Sequence, residues 1–190
     1  MQNFILSDQE KIILLKTARE SLAAYLEQRK PVFPETTKNL ETVCGAFVTL
    51  RGKSHGKPLR GCIGQIIGLQ PLIDTIKEMA VSSGTKDPRF PPVRSYDLEG
   101  LEFEISVLTP LVRLDNPEKV IVGTHGIYIK SGYSSGVLLP QVAVEQNWDR
   151  ETFLSHTCLK AGLPADCWKR ETAEIYTFTA IVFDESLLNR

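Results

Sequence analysis

The sequence has few cysteines and no surplus of either charge. Four cysteines among 190 residues are too few for the disulfide scaffold of a small secreted domain, so we expect reduced thiols and a cytoplasmic chain. The 22 lysines and arginines nearly balance 23 aspartates and glutamates, for a net charge of −1. Such a balance gives no general attraction to nucleic acid or to an anionic membrane surface, and we expect neither as a partner.

Long apolar runs and metal-ligand motifs are also missing. No apolar run approaches the roughly 20 residues of a membrane-spanning helix. Charged residues begin at Asp8, directly after a short apolar start, which predicts no signal peptide. There is no CxxC pair, and a helix stop separates Cys158 from Cys167, so we expect no zinc site. The sequence indicates no particular cofactor.

Periodicity and turn residues predict a mixed chain in which helices and strands do not alternate regularly. The predicted elements are a helix over 8–28, strands over 44–50 and 59–66, a helix from Pro71 to Gly84, a rigid loop over 87–92, a strand over 101–108, a β-meander over 120–140, helices over 141–146 and 149–160, and a last strand over 175–183. Without regular βαβ alternation, an antiparallel α+β fold is the better prediction. We expect residues 1–112 and 171–190 to form a larger subdomain with both termini, and residues 113–170 a smaller inserted one.

The segment Leu59-Arg60-Gly61-Cys62-Ile63-Gly64 combines a thiol, a charge and two bare glycines. Strand alternation places Arg60, Cys62 and Gly64 on one face and Leu59, Gly61 and Ile63 on the other. Cα atoms two residues apart on a strand are roughly 6.5 Å apart, so the guanidinium could stabilise a thiolate. The glycines would let a ligand approach closely. The alternative is a small packed cysteine, with Arg60 paired to a carboxylate elsewhere.

Three further residues have both a functional and a structural interpretation. His125 lies in a glycine turn and is either an exposed turn residue or the general base for Cys62. Asp87 and Arg89 form either a turn-stabilising pair or an acid and a clamp at the rim of a site. The range 132–136 matches the G-x-S-x-G pattern of serine hydrolases, but it lies between two predicted strands and is therefore expected to be a turn.

Several segments together resemble a known family. The segments are Gly45-Ala46-Phe47-Val48-Thr49-Leu50, Leu59-Arg60-Gly61-Cys62-Ile63-Gly64, Asp87-Pro88-Arg89-Phe90, Glu104-Ile105-Ser106-Val107-Leu108, His125-Gly126, Leu138-Leu139-Pro140-Gln141-Val142-Ala143 and Lys160-Ala161-Gly162-Leu163. In this order, over residues 45–165, the chain resembles the AMMECR domain family, including proteins of the AmmeMemoRadiSam system protein A type.

The resemblance implies a fold and a setting but no reaction. It implies two subdomains, each with an antiparallel sheet, and a cleft between them faced by the LRGCIG motif. The residues it suggests as cleft-lining are Leu59, Arg60, Gly61, Ile63, Gly64, Asp87 and Arg89. Neighbouring genes in the family often encode a Memo-type protein and a radical S-adenosylmethionine (SAM) protein. Both are therefore possible partners in a modification pathway.

Two functions remain open at this point. The first is an enzyme or enzyme subunit acting on a large substrate such as a protein. Cys62 would be its nucleophile or carrier, His125 its base, and Arg60 would hold an anionic group or stabilise the thiolate. The second is a non-enzymatic adaptor that uses the same cleft to bind a protein partner. The charge balance disfavours a third, an RNA-binding module.

Overall fold

A computed structural model describes residues 4–189, which divide into two compact units. The first unit contains the described residues up to Leu108 and those from Ile181 onward; the second is Thr109–Ala180. Each has its own four-stranded antiparallel sheet and its own hydrophobic core. The predicted α+β fold is therefore confirmed.

The first unit packs two helices on one sheet. Its elements are α1 (Asp8–Leu26), β1 (Ala46–Gly52), β2 (Leu59–Gln65), α2 (Leu72–Thr85), β3 (Leu101–Leu108) and β8 (Ala180–Asp184), with short 3₁₀ helices at Lys38–Glu41, Ser95–Gly100 and Glu185–Asn189. The sheet order is β2-β1-β3-β8, so β2 is an edge strand. The predicted β1–β2 hairpin is present, and α2 packs against both of its strands.

Sequence signals account for the main elements of this unit. Ser7 and Glu10 form the predicted capping box at the start of α1, each satisfying a backbone N–H group of the other. Along β3, the alternate residues Phe103, Ile105 and Val107 are fully buried in the core. Burial of such side chains contributes roughly 1.5–3 kcal/mol each.

The second unit is a smaller sheet covered by two helices. Its elements are β4 (Val112–Arg113), β5 (Gly126–Ser131), β6 (Ser134–Leu138), α3 (Pro140–Glu145), α4 (Arg150–Lys160) and β7 (Glu174–Phe178), with 3₁₀ helices at Pro117–Lys119 and Cys167–Lys169. The sheet order is β4-β7-β5-β6. Asp149 caps α4 through the Thr152 N–H, as expected, and the G-x-S-x-G segment is part of the β5–β6 hairpin.

Two predicted strands differ from the structure. Residues 120–122 are not a strand, because Ile121 O accepts hydrogen bonds from the N–H groups of Thr124 and His125 and closes a turn there. The last strand is two strands: β7 pairs with β5 in the second sheet and β8 joins the first sheet. The break lies at Thr179, so the second unit extends to Ala180 instead of ending at residue 170.

The cysteines also depart from expectation. Cys44 and Cys62 are free, but Cys158 and Cys167 form a disulfide with a Cα–Cα distance of 5.9 Å. Gly162 adopts a φ of +72° and reverses the chain after α4, which returns Cys167 to that helix. The expectation of reduced thiols is therefore wrong for this pair. Among the helices within residues 4–189, none is long and apolar enough to cross a membrane.

Candidate functional site

Cys62 lies on edge strand β2 with its thiol partly exposed and free. In the antiparallel register it faces Thr49 of β1, whose hydroxyl donates a hydrogen bond to Cys62 Sγ over 3.2 Å. This hydrogen bond fixes the position of the sulfur against β1. The other free cysteine, Cys44, differs from Cys62 in exposure, because it is buried. Its burial raises the pKa of the Cys44 thiol to about 11.

The backbone of Cys62 is fixed by a pair of charged side chains from the loop after α2. The Cys62 N–H donates to Asp87 Oδ2 over 2.8 Å, and Arg89 Nη2 donates to the Cys62 carbonyl over 3.3 Å. Arg89 also donates from Nη2 and Nε to the two Asp87 oxygens, at 2.7 and 2.9 Å. These contacts occupy both backbone groups that Cys62 presents at the outer edge of β2. The edge is therefore closed at this point to an added strand.

Asp87 is the electrostatic centre of this arrangement. Only 5% of the residue is exposed. The side-chain hydrogen bond from Arg89 holds the pKa of Asp87 well below its usual range, against the opposing effect of burial, with further support from the N–H groups of Cys62 and Arg89. The same pairing raises the pKa of Arg89. Asp87 and Arg89 thus form one ionised, bidentate unit bound to the Cys62 backbone.

Arg60 lies at a β-bulge. The register passes from Leu50 opposite Gly61 to Arg51 opposite Leu59, so Arg60 has no partner on β1. A bulge re-aims the side chain of its extra residue, and the simple alternation that placed Arg60 on the Cys62 face does not apply. Its Nη1 donates to the carbonyl of Pro91 over 2.6 Å, in the loop that contains Asp87 and Arg89.

The opposite face of β2 rests on α2 through Gly61 and Ser83. A Cβ atom at Gly61 would lie 2.2 Å from the Ser83 carbonyl oxygen, so only glycine permits this approach. The Ser83 hydroxyl accepts from the Ile63 N–H at 2.8 Å and donates to Val48 O at 2.7 Å. A helix side chain thus joins the two hairpin strands.

The remaining motif residues have structural positions. Leu59 begins β2 and is 36% exposed, and Ile63 packs partly against the core. Gly64 lies under the ring of Phe47, where a Cβ atom would be 2.3 Å from Phe47 Cγ. The glycines of the motif are thus explained by close contacts with α2 and with an aromatic ring.

His125 belongs to the second unit, directly after the turn at Ile121. Its Nδ1 accepts a hydrogen bond from the Ile121 N–H over 3.2 Å, and burial lowers its pKa. In a neutral ring Nδ1 is then the acceptor nitrogen and Nε2 holds the proton. To act as a base, His125 would have to accept a proton at Nδ1, which already accepts the hydrogen bond from Ile121. The role of His125 as the base for Cys62 stays a prediction.

The structure brings Cys62, Asp87 and Arg89 into direct contact and ties Arg60 to the same loop. Sequence reasoning missed Thr49 and Ser83. The hairpin register identifies Thr49 once the bulge is known, whereas nothing in the sequence marks Ser83. No cluster of three or more His, Cys, Asp or Glu side chains suited to a metal ion occurs within residues 4–189.

Comparisons with known proteins agree with one another over nearly the whole chain. The family model AMMECR1 matches residues 15–183. Protein MK0488 of Methanopyrus kandleri is 46% identical over 185 residues, covering 93% of this chain and 89% of that protein. Protein PH0010 of Pyrococcus horikoshii is 41% identical over 192 residues, covering 96% and 93%. The crystal structure of PH0010 is similar to this one with a TM-score of 0.79 at 39% identity, over 95% of this chain and 93% of the other.

Proposed function

The chain belongs to the AMMECR1 family, and we propose that it is an enzyme or enzyme subunit whose reacting group is the thiol of Cys62. One observation carries the proposal: a free, partly exposed thiol accepts a hydroxyl hydrogen bond while its own backbone is clamped by an ion pair. A nucleophilic thiol needs a fixed position and access to its substrate. A cysteine that only fills space needs neither.

The setting of the proposed reaction rests on the family resemblance. We propose a large substrate, such as a protein, in a modification pathway shared with a Memo-type and a radical SAM protein. The closed edge of β2 at Cys62 argues against a partner that binds there by strand addition. This weakens one form of the adaptor alternative and supports side-chain chemistry at the sulfur.

Thiol labelling of the intact protein tests the proposal. Mass spectrometry should show that iodoacetamide modifies Cys62 at least about tenfold faster than buried Cys44, which is the internal reference. Thr49→Val should slow the labelling of Cys62 several-fold, because the variant loses the hydroxyl hydrogen bond that positions the sulfur. Thr172→Val, at an exposed position, should leave the rate unchanged.

Complementation separates the enzyme from the adaptor. In a strain that lacks the gene, Cys62→Ser should fail to restore growth or pathway output, while Cys44→Ala should restore it. A Cys62→Ala protein that restores full function would eliminate the proposed chemistry and favour the adaptor. Equal labelling of Cys62 and Cys44 would count against it independently.

A further inference from the structure

Arg60 differs from Arg89 in that, among the described residues, it has no counter-ion. Within residues 4–189, no ion pair joins Arg60 to a carboxylate, and its one hydrogen bond goes to the neutral carbonyl of Pro91. Arg89, by contrast, forms a bidentate ion pair with Asp87. Of the two guanidiniums that contact this loop, only that of Arg60 therefore has a charge left unpaired among the described residues.

The position of this charge is built into the backbone. The bulge at Arg60 directs its side chain to the loop after α2, where the Pro91 carbonyl holds one of its five N–H donors. Two residues earlier in that loop, Arg89 contacts the carbonyl of Cys62. Two contacts therefore join β2 to this loop, one between Arg60 and Pro91 and one between Cys62 and Arg89. Arg60, two positions before Cys62 on β2, is thus held at one of its donors and keeps the others for a ligand.

A solvated surface arginine would explain the missing counter-ion but not the anchoring. Long side chains lose rotamer entropy when they are held, so an arginine fixed at a bulge is costly unless the fixed form binds something. A planar fork of N–H donors matches carboxylate and phosphate oxygens in particular.

We propose that Arg60 binds an oxyanion, a carboxylate or a phosphate, on the molecule that reacts with Cys62. This inference rests on the proposed function, since it names the substrate class of the same thiol. Arg60 contacts the substrate, whereas Arg89 is a positioning residue that fixes the backbone of Cys62.

Two alkylating reagents that differ in charge test the inference. Iodoacetate and iodoacetamide transfer similar groups to sulfur, with loss of iodide, but only the first carries a carboxylate. The ratio of the iodoacetate rate to the iodoacetamide rate at Cys62 should be about 3- to 10-fold lower in Arg60→Gln than in the native protein, because the iodoacetate reaction becomes slower. The iodoacetamide rate should stay unchanged. Arg170→Gln, which removes one exposed positive charge from the second unit, should alter neither rate.

The outcomes distinguish the two proposals. If iodoacetamide labels Cys62 rapidly and the ratio is the same in the native and Arg60→Gln proteins, the anion inference is wrong and the thiol chemistry stands. An equal fall in the ratio for Arg170→Gln would show only a general effect of net charge and would also overturn the inference. If neither reagent labels Cys62, the proposed chemistry fails.

Binding of simple anions tests the inference even if neither alkylating reagent labels Cys62. Titration with acetate and, separately, with inorganic phosphate should shift the amide resonance of Cys62 in the native protein and not in Arg60→Gln. A larger response to phosphate would identify a phosphorylated substrate, and a larger response to acetate a carboxylate. No shift with either anion would overturn the inference whatever the labelling result.

Discussion

At the scale of single residues, Asp87 connects the ion pair to the thiol strand. Its two oxygens accept four hydrogen bonds, from the Cys62 N–H, the Arg89 N–H and two groups of the Arg89 side chain. Asp87→Asn replaces one oxygen by an NH₂ group that must face a donor, whichever way the amide is turned. We expect a loss of about 1–3 kcal/mol in the free energy of unfolding at pH 7, measured by urea denaturation.

The pH dependence of this loss follows from the lowered pKa of Asp87. A carboxyl group whose folded pKa lies below the unfolded value, ordinarily about 3.9, stabilises the fold fully above that value. The contribution is lost as the pH falls from there through the folded pKa. The free energy of unfolding should therefore differ between the native protein and Asp87→Asn by a constant amount from pH 6 to 8, and this difference should shrink below about pH 4. Asp115→Asn, at an exposed position, should unfold with the same free energy as the native protein at every pH. If Asp115→Asn showed the same pH-dependent loss, the effect could not be assigned to the hydrogen bonds of Asp87.

Residue-scale features differ in how far the sequence could predict them. Asp87 and Arg89 are two positions apart, so a turn-stabilising pair is a local inference. Their hydrogen bonds to the backbone of Cys62 could not be inferred locally, because they span 25 and 27 positions along the chain. The bulge at Arg60 leaves no local mark in the sequence, so strict alternation cannot be applied at this position.

At the scale of elements, the close contact between α2 and the hairpin depends on one glycine. Gly61→Ala would place Cβ 2.2 Å from the backbone oxygen of Ser83, and a helix backbone cannot move aside as a flexible side chain can. We expect a loss of about 1–3 kcal/mol or more, typical of overpacking, measured as a lower urea midpoint with an unchanged m-value.

A matched glycine provides the control for this prediction. A Cβ atom at Gly100 would have no neighbour within 4 Å, so Gly100→Ala should change the free energy of unfolding by no more than about 0.5 kcal/mol. The amide of Ile63, which donates to the Ser83 hydroxyl, should exchange with solvent faster in Gly61→Ala alone. Equal losses of stability in the two alanine variants would mean that the contact with α2 is not what requires glycine at position 61.

Elements with strong local signals were predicted well, and those that depend on pairing were not. The capping box of α1, the Asp149 cap of α4 and the alternation along β3 are all local patterns. The break at Thr179 is different, because residues on both sides of it have strand patterns. Only hydrogen-bond partners in two separate sheets reveal that β7 and β8 are distinct.

At the scale of the whole molecule, the second unit has its own core and ends that meet. Its core includes Phe153, Leu154 and Ile129, all fully buried, and the Cys158–Cys167 disulfide adds a covalent closure. Thr109 N donates to Thr179 O at 2.9 Å, and Thr179 N donates to Thr109 Oγ1 at 2.8 Å. Domains with adjacent termini and a separate core generally fold alone.

We therefore expect a fragment of residues 109–180 to fold by itself under oxidising conditions, with a cooperative thermal transition and dispersed amide resonances. A fragment of residues 113–170 is the matched control, because it keeps α3, α4, β5, β6 and the disulfide but lacks β7. That strand lies between β4 and β5, and without it the sheet retains one hairpin, which is marginally stable at best in water. The shorter fragment should stay unfolded by the same measurements. If both fragments fold, β7 is dispensable to the second core; if neither does, the second unit depends on the rest of the chain for its stability.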